Sequence, residues 1–223
     1  MFRHVRIIMV SLSLWLASGV SARATVLLLD NFNLENGGVG ALNYNAFANW
    51  TVSNGTVDLI GNGFFDFLPG NGLYVDMDGS TFNAGRMTSM AFTLNPGVYS
   101  LSFELAGNQR NNSPETVTVQ VSMGSLFNEN FSLNRTAPFT LFTRTFTVAS
   151  TTLASLSFEG AGGDNIGMLL DDVEFALVPE PATIALLAVA LAATGVRGRK
   201  ATRNKAHTDK GLSSTAAPRH SLL

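Results

Sequence analysis

The residues from Thr25 to Val178 predict an all-β domain, a two-sheet β-sandwich of jelly-roll type. Three observations carry this reading. Apolar residues recur at every second position in several runs, the period of a half-buried strand. Turn signals punctuate those runs at Asn54-Gly55, Asn62-Gly63, Pro69-Gly70, Asp78-Gly79 and Asn95-Pro96-Gly97. No helical periodicity appears between them. About nine or ten short strands in one domain-sized stretch pack most simply as two sheets around one core.

The elements follow in order. Leu73, Val75 and Met77 share one face of the run LYVDMDG. Met90, Phe92 and Leu94 form a stripe before the Asn-Pro-Gly turn, and Tyr99, Leu101, Phe103 and Leu105 follow it. Val117, Val119, Val121 and Met123 make another, then Phe142, Phe146 and Val148, with Leu156 and Phe158 behind. In the last run, strand parity places Leu169, Asp171, Val173, Phe175 and Leu177 on one side and Asp172 and Glu174 on the other. Asp171 is therefore expected to face the core, where a lone carboxylate needs donors or a cation.

Composition narrows the chemistry. The chain has no cysteine, so no disulfide supports the domain, and 15 of its 16 phenylalanines lie between Thr25 and Val178. That stretch holds fourteen acids against four arginines (Arg86, Arg110, Arg135, Arg144) and no lysine, a net charge of −10. The whole-chain charge of −2 conceals this, because the termini carry the other ten basic residues. Such a charge argues against nucleic acid as a partner and suits neutral glycans and divalent cations. The three histidines, His4, His207 and His220, all lie outside the stretch. Nucleophiles activated by histidine, lysine Schiff bases and His- or Cys-ligated metals are thereby removed. Only carboxylate chemistry of the glycosidase kind survives, and the spacing of Glu104, Glu115 and Glu159 singles out no pair. The expectation is a protein that is not an enzyme.

The ends of the chain are organised differently. Arg3 and Arg6 precede an apolar run, Ile7–Ala17, and Ala22-Arg23-Ala24 is a small-x-small cleavage site. Residues 1–24 read as a secretory signal peptide. After the domain come Pro179-Glu180-Pro181, an apolar run from Ala182 to Val196, and the basic cluster Arg197, Arg199 and Lys200. Two prolines keep the first part extended and accessible. The apolar run reads as a short membrane helix, about 22 Å long against roughly 30 Å of hydrocarbon. The basic cluster holds its far end on the cytoplasmic side. This ordered triplet resembles the PEP-CTERM sorting tail of bacterial envelope proteins. The resemblance implies an exosortase-like enzyme as partner, export, anchoring in the inner membrane in transit, and delivery to the envelope or extracellular polymer. A simple C-terminal anchor is the other reading of the same residues. Family members usually stop soon after the basic residues, whereas residues 201–223 continue as a polar tail that reads as disordered.

The domain itself resembles galactose-binding-like jelly rolls, the architecture of many carbohydrate-binding modules. Its opening, Asn31-Phe32-Asn33-Leu34-Glu35-Asn36-Gly37, is similar to the family's first turn, with Phe32 where glycine is usual, and Trp50 follows. Leu170-Asp171-Asp172-Val173 resembles the family's last strand. The resemblance implies a glycan-binding or matrix module, and a structural calcium joining Glu35 and Asp171. Hydrogen bonding of Asp171 to backbone, with Glu35 in solvent, is the alternative. Asp76 and Asp78, spaced Asp-x-Asp-Gly, serve a hairpin turn or a cation loop. Tyr44, Trp50, Tyr74, Asn108 and Arg110 are the candidates for contact with envelope or extracellular polysaccharide, as rings to stack on sugars and groups to bond hydroxyls. Trp50 is equally suited to the core. A surface protein without a ligand pocket, or a carboxylate glycosidase, are the remaining readings.

Overall fold

The computed structural model describes residues 24–110 and 116–179, which include the whole of the predicted domain except residues 111–115. The signal peptide, Glu180 and Pro181, the apolar run to Val196, the basic cluster and the polar tail all lie outside them. Among the described residues no helix is long and apolar enough to cross a membrane.

Among the described residues thirteen strands form a jelly-roll β-sandwich. They are β1 (Thr25–Asp30), β2 (Trp50–Ser53), β3 (Asp58–Gly61), β4 (Leu73–Asp76), β5 (Arg86–Ser89), β6 (Phe92–Leu94) and β7 (Gly97–Ala106), then β8 (Thr116–Met123), β9 (Phe127–Asn134), β10 (Thr140–Val148), β11 (Thr152–Ala154), β12 (Ser157–Gly160) and β13 (Leu169–Val178). One sheet has the order β10-β7-β13-β4-β3, with β1 also pairing β13; the other runs β2-β5-β12-β8-β9, and β6 pairs β11 apart from both. The chain passes repeatedly from one sheet to the other, so strands distant in sequence become neighbours and enclose a shared core.

The period-2 stripes fill that core. Tyr99, Leu101, Phe103 and Leu105 of β7, Val119, Val121 and Met123 of β8, and Leu156 and Phe158 around β12 are all buried in it. Phe103 sits at its centre, its ring 5.2 Å from Phe131, 5.3 Å from Phe158 and 6.0 Å from Phe142. Tyr99, Phe146 and Phe175 stack on one another at 5.6–6.2 Å. Each such ring removes a large apolar area from water, which is how a sandwich without disulfides holds together.

Three expectations from the stripes need correction. Met90 is exposed, because the chain leaves the five-stranded sheet after Ser89 and starts a new strand at Phe92. Tyr74 is fully buried, although it points away from the Leu73/Val75 face. The loop between β3 and β4 folds over the outer face of the six-stranded sheet, and Ile60, Tyr74, Ala106 and Leu169 form a second, smaller core beneath Phe64, Phe67 and Leu68. Finally, the register of β13 against β7 shifts between Asp171 and Glu174, and Asp172 takes a left-handed φ of 45°. This β-bulge reverses the side-chain parity. Leu169 therefore lies on the outer face, while Val173 and Phe175 lie in the main core. Asp171 shares Leu169's face and stands opposite Glu104.

Candidate functional site

The β3–β4 loop, GNGFFDFLPGN, is built to hold aromatic rings outside the sheet. Gly61 and Phe64 exchange backbone hydrogen bonds at 2.8 and 3.0 Å. Gly63 N–H donates to Asp66 Oδ2 at 3.1 Å, and the Tyr74 hydroxyl donates to Asp66 Oδ1 at 3.2 Å while accepting Leu68 N–H at 2.9 Å. Burial, with the Asp66 carboxylate beside it, pushes the Tyr74 hydroxyl up to about 12, so it stays protonated and keeps the tether. Held in this way, Phe65 adopts φ 44° and remains 54% exposed. A bulky residue in left-handed backbone is costly and persists only where its surroundings enforce it.

Phe65 lines a recess of about 300 Å³ with Phe67, Asp58, Ser80, Arg110 and Asn165. The Arg110 guanidinium lies 4.9 Å from the centre of the Phe67 ring, a cation–π contact. Arg110 donates from Nη2 to Asp76 Oδ2 at 2.6 Å and from Nη1 to the Asn165 carbonyl. Asp76 is fully buried; its other oxygen accepts N–H bonds from Asp78 and Gly167 at 3.1 and 2.9 Å. Burial pushes the Asp76 carboxyl up to about 7 against the pull of Arg110. Asp58 accepts from Asn43 N–H, Ser80 N–H and the Ser80 hydroxyl. The result is an aromatic shelf with a fixed guanidinium, a hydroxyl and an amide beside it, the equipment for holding a sugar face and its hydroxyls.

Of the residues singled out in the sequence, Arg110 lines this recess and Tyr74 supports it from beneath. Trp50 is core: its indole N–H donates to Asp30 Oδ2 at 2.8 Å and its ring packs 5.7 Å from Phe158. Asn108 is buried and accepts Arg110 N–H at 2.7 Å, shaping the turn that presents the guanidinium. Tyr44 lies elsewhere, its ring against Phe47 and its hydroxyl donating to the Ala46 carbonyl at 3.1 Å. Trp50 and Asn108 are buried, and Tyr44 is half-buried against Phe47 and does not line the recess. Phe65, Phe67, Asp58, Ser80 and Asn165 were not singled out. The signal for the first two was present: three phenylalanines in eleven residues bounded by Gly, Pro and Asn are too apolar for an ordinary turn.

Glu35 and Asp171 take separate partners. Glu35 accepts Ala48 N–H at 2.9 Å and a longer bond from the Tyr44 hydroxyl at 3.5 Å. Asp171 accepts Asp172 N–H at 2.8 Å, and burial, then the negative charges of Asp172, Glu104 and Asp30, push it up to about 8. No group of three or more His, Cys, Asp or Glu side chains among the described residues converges as a metal site. Phe32 adopts φ 55°, the backbone that glycine takes freely.

A family model for the PEP-CTERM protein-sorting motif matches residues 177–200. The chain carries that sorting motif. It marks an exported, envelope-associated protein, and of its Pro-Glu-Pro segment Pro179 lies among the described residues. No curated protein matches the chain in sequence. Among solved structures, the chain is similar to the CBM22-1 xylan-binding domain of Xyn10C from Paenibacillus barcinonensis, at 12% identity over 71% of this chain and 97% of that one, TM-score 0.46. It is similar to the K3 cleaved adhesin domain of Lys-gingipain from Porphyromonas gingivalis, at 17% identity over 69% and 99%, TM-score 0.44. A third is the C-terminal CBM6 of the laminarinase LamC from Zobellia galactanivorans, at 12% identity over 58% and 93%, TM-score 0.39.

Proposed function

We propose that the domain is a glycan-binding module that binds without turnover, using the Phe65–Arg110 recess, and that the sorting tail delivers it to envelope or extracellular polysaccharide. The observation that carries the reading is Phe65 itself, a large apolar side chain held exposed in strained backbone beside Phe67 and Arg110. A sugar ring stacks on Phe65 and its hydroxyls bond to Arg110, Ser80 and Asn165. With so few contacts the single-site affinity is weak, roughly micromolar to millimolar, or about 4–8 kcal/mol. Many copies on one polymer then supply the attachment. A neutral ligand makes binding nearly independent of monovalent salt.

The test is binding of the full chain to a panel of neutral polysaccharides by affinity electrophoresis, with Phe65→Ala beside it. Expected is retardation by at least one polymer, reduced about tenfold by Phe65→Ala with melting unchanged. Release of reducing sugar that Glu104→Gln abolishes would show the glycosidase instead.

For the tail, the proposal is removal of the signal peptide before Thr25 and cutting by an exosortase-like enzyme near Pro179–Pro181. Intact-mass measurement on native envelope material checks both ends. A stable form retaining Ala182–Leu223 in an exosortase-competent cell would refute the cut.

A further inference from the structure

A second recess, of about 190 Å³, lies on the other side of the 164–167 loop and is lined by Asp78, Asp164, Thr116, Thr118, Gly162 and Gly167. We infer that this recess binds a hard divalent cation, calcium, through the buried carboxylate of Asp78 and the carboxylate of Asp164. Asp78 is 2% exposed, and among the described residues its Oδ1 has no hydrogen-bond partner. A buried carboxylate oxygen without a donor is costly, and native structures seldom leave one so.

The surrounding groups do not supply what is missing. Four carboxylates, Asp58, Asp76, Asp78 and Asp164, act on one another here, and one guanidinium, that of Arg110, acts on Asp76 and Asp78. Arg110 gives its terminal nitrogens to Asp76 and Asn165, and no hydrogen bond from it reaches Asp78. Asp58 is occupied by Asn43 and Ser80. Asp164 accepts Ile166 N–H with one oxygen, at 2.9 Å. Burial, then the charge of Asp164, push the Asp78 carboxyl up to about 7. A proton on Asp78 would relieve the repulsion but would leave a buried hydroxyl in need of an acceptor. A cation in the recess satisfies the free oxygen and the excess charge together. The polar side chains lining the recess offer oxygen alone: the carboxylates of Asp78 and Asp164 and the hydroxyls of Thr116 and Thr118, the last also bonded to the Ser132 hydroxyl. Calcium accepts six to eight such ligands in irregular geometry, whereas zinc prefers nitrogen or sulfur donors. The cation would brace the loop that offers Asn165 to the neighbouring recess. The inference itself stands on Asp78 and needs no glycan.

The experiment is calorimetric and thermal titration of the chelator-stripped full chain with calcium alone. A cation that binds only the folded state raises the melting temperature, by roughly 5–10 °C at a hundredfold excess over Kd. Asp78→Asn and Asp164→Asn are each expected to abolish the rise, and Asp171→Asn to keep it. Should Asp78→Asn fail to fold, Asp164→Asn decides, since Asp164 is only half-buried. A wild-type chain indifferent to calcium, a full shift in Asp164→Asn, or a shift lost only in Asp171→Asn would each overturn the site.

Discussion

The outer surfaces of the two sheets carry recesses of opposite character. On the five-stranded sheet a broad groove of about 660 Å³ is lined by Arg86, Thr88, Gln120, Ser122, Asn128 and their neighbours, with no aromatic side chain. On the six-stranded sheet the Phe65–Arg110 recess has about 300 Å³, two phenylalanines and a guanidinium stacked on one of them. The larger space follows from strand alternation alone: polar residues face water because their neighbours face the core. The smaller space is an imposed structure, requiring a strained phenylalanine, a part-buried ion pair and a tyrosine tether. Strain and buried charge lower stability, so their concentration in one place points to function more strongly than volume does.

The contrast breaks most visibly at Asp76. Asp76→Ala removes the partner of Arg110 and strips two backbone N–H groups of their acceptor, at an expected cost of about 3–5 kcal/mol. Urea unfolding measures it; a loss below about 1 kcal/mol would mean the recess does not depend on this pair.

Next in size is the dependence on pH. Asp76, Asp78 and Asp171 are raised to about 7, about 7 and about 8, each by burial first. A folded-state carboxyl raised above its unfolded value holds a proton that the unfolded chain releases. Stability in calcium-free buffer is therefore expected to fall as pH rises from about 4 to about 8. Asp171→Asn should flatten the fall above about pH 7, and Asp78→Asn should reduce its slope below that, where Asp76 and Asp171 still contribute. Stability constant from pH 5 to pH 8 in the wild type would contradict the burial of these charges.

Phe65→Gly sharpens the comparison at smaller cost. Glycine adopts left-handed backbone freely, so the variant is expected to gain about 1 kcal/mol of stability. It should also lose about tenfold in glycan affinity, ~1.4 kcal/mol. Parallel unfolding and binding curves would separate strain kept for function from strain without use.

The smallest effect belongs to the groove. Arg86→Ala and Gln120→Ala should change stability by no more than about 0.5 kcal/mol and leave glycan binding unaltered. The Arg86–Glu159 pair, 3.7 Å apart and solvated, contributes little. Loss of binding in either variant would move the glycan site to the five-stranded sheet.

Much of the fold was legible because it is local. The stripe Tyr99, Leu101, Phe103, Leu105 and the stripe Val119, Val121, Met123 read correctly, since alternation needs only the strand's own period. The stripe through Asp171 misread because a single bulge reverses parity, and the bulge is set by pairing with β7. Tyr74 misread because the alternation marks one buried face, and nothing in LYVDMDG announces that a loop covers the other. Arg110 was legible as a candidate by its type, whereas Asp76, its buried partner, read as half of a turn.

By itself the sequence determined the all-β class, the core stripes, the absence of His, Cys and Lys from the domain, and the sorting tail. All of these depend on residue type and on spacing along the chain. Only the tertiary structure decided which acids are buried, which aromatics are core and which are shelf, and that Phe65, Arg110 and Asn165 meet. Those residues stand 45 and 55 positions apart in sequence. Sheet pairing and loop cover bring them together, and the cost of each buried charge depends on neighbours that only the fold assigns.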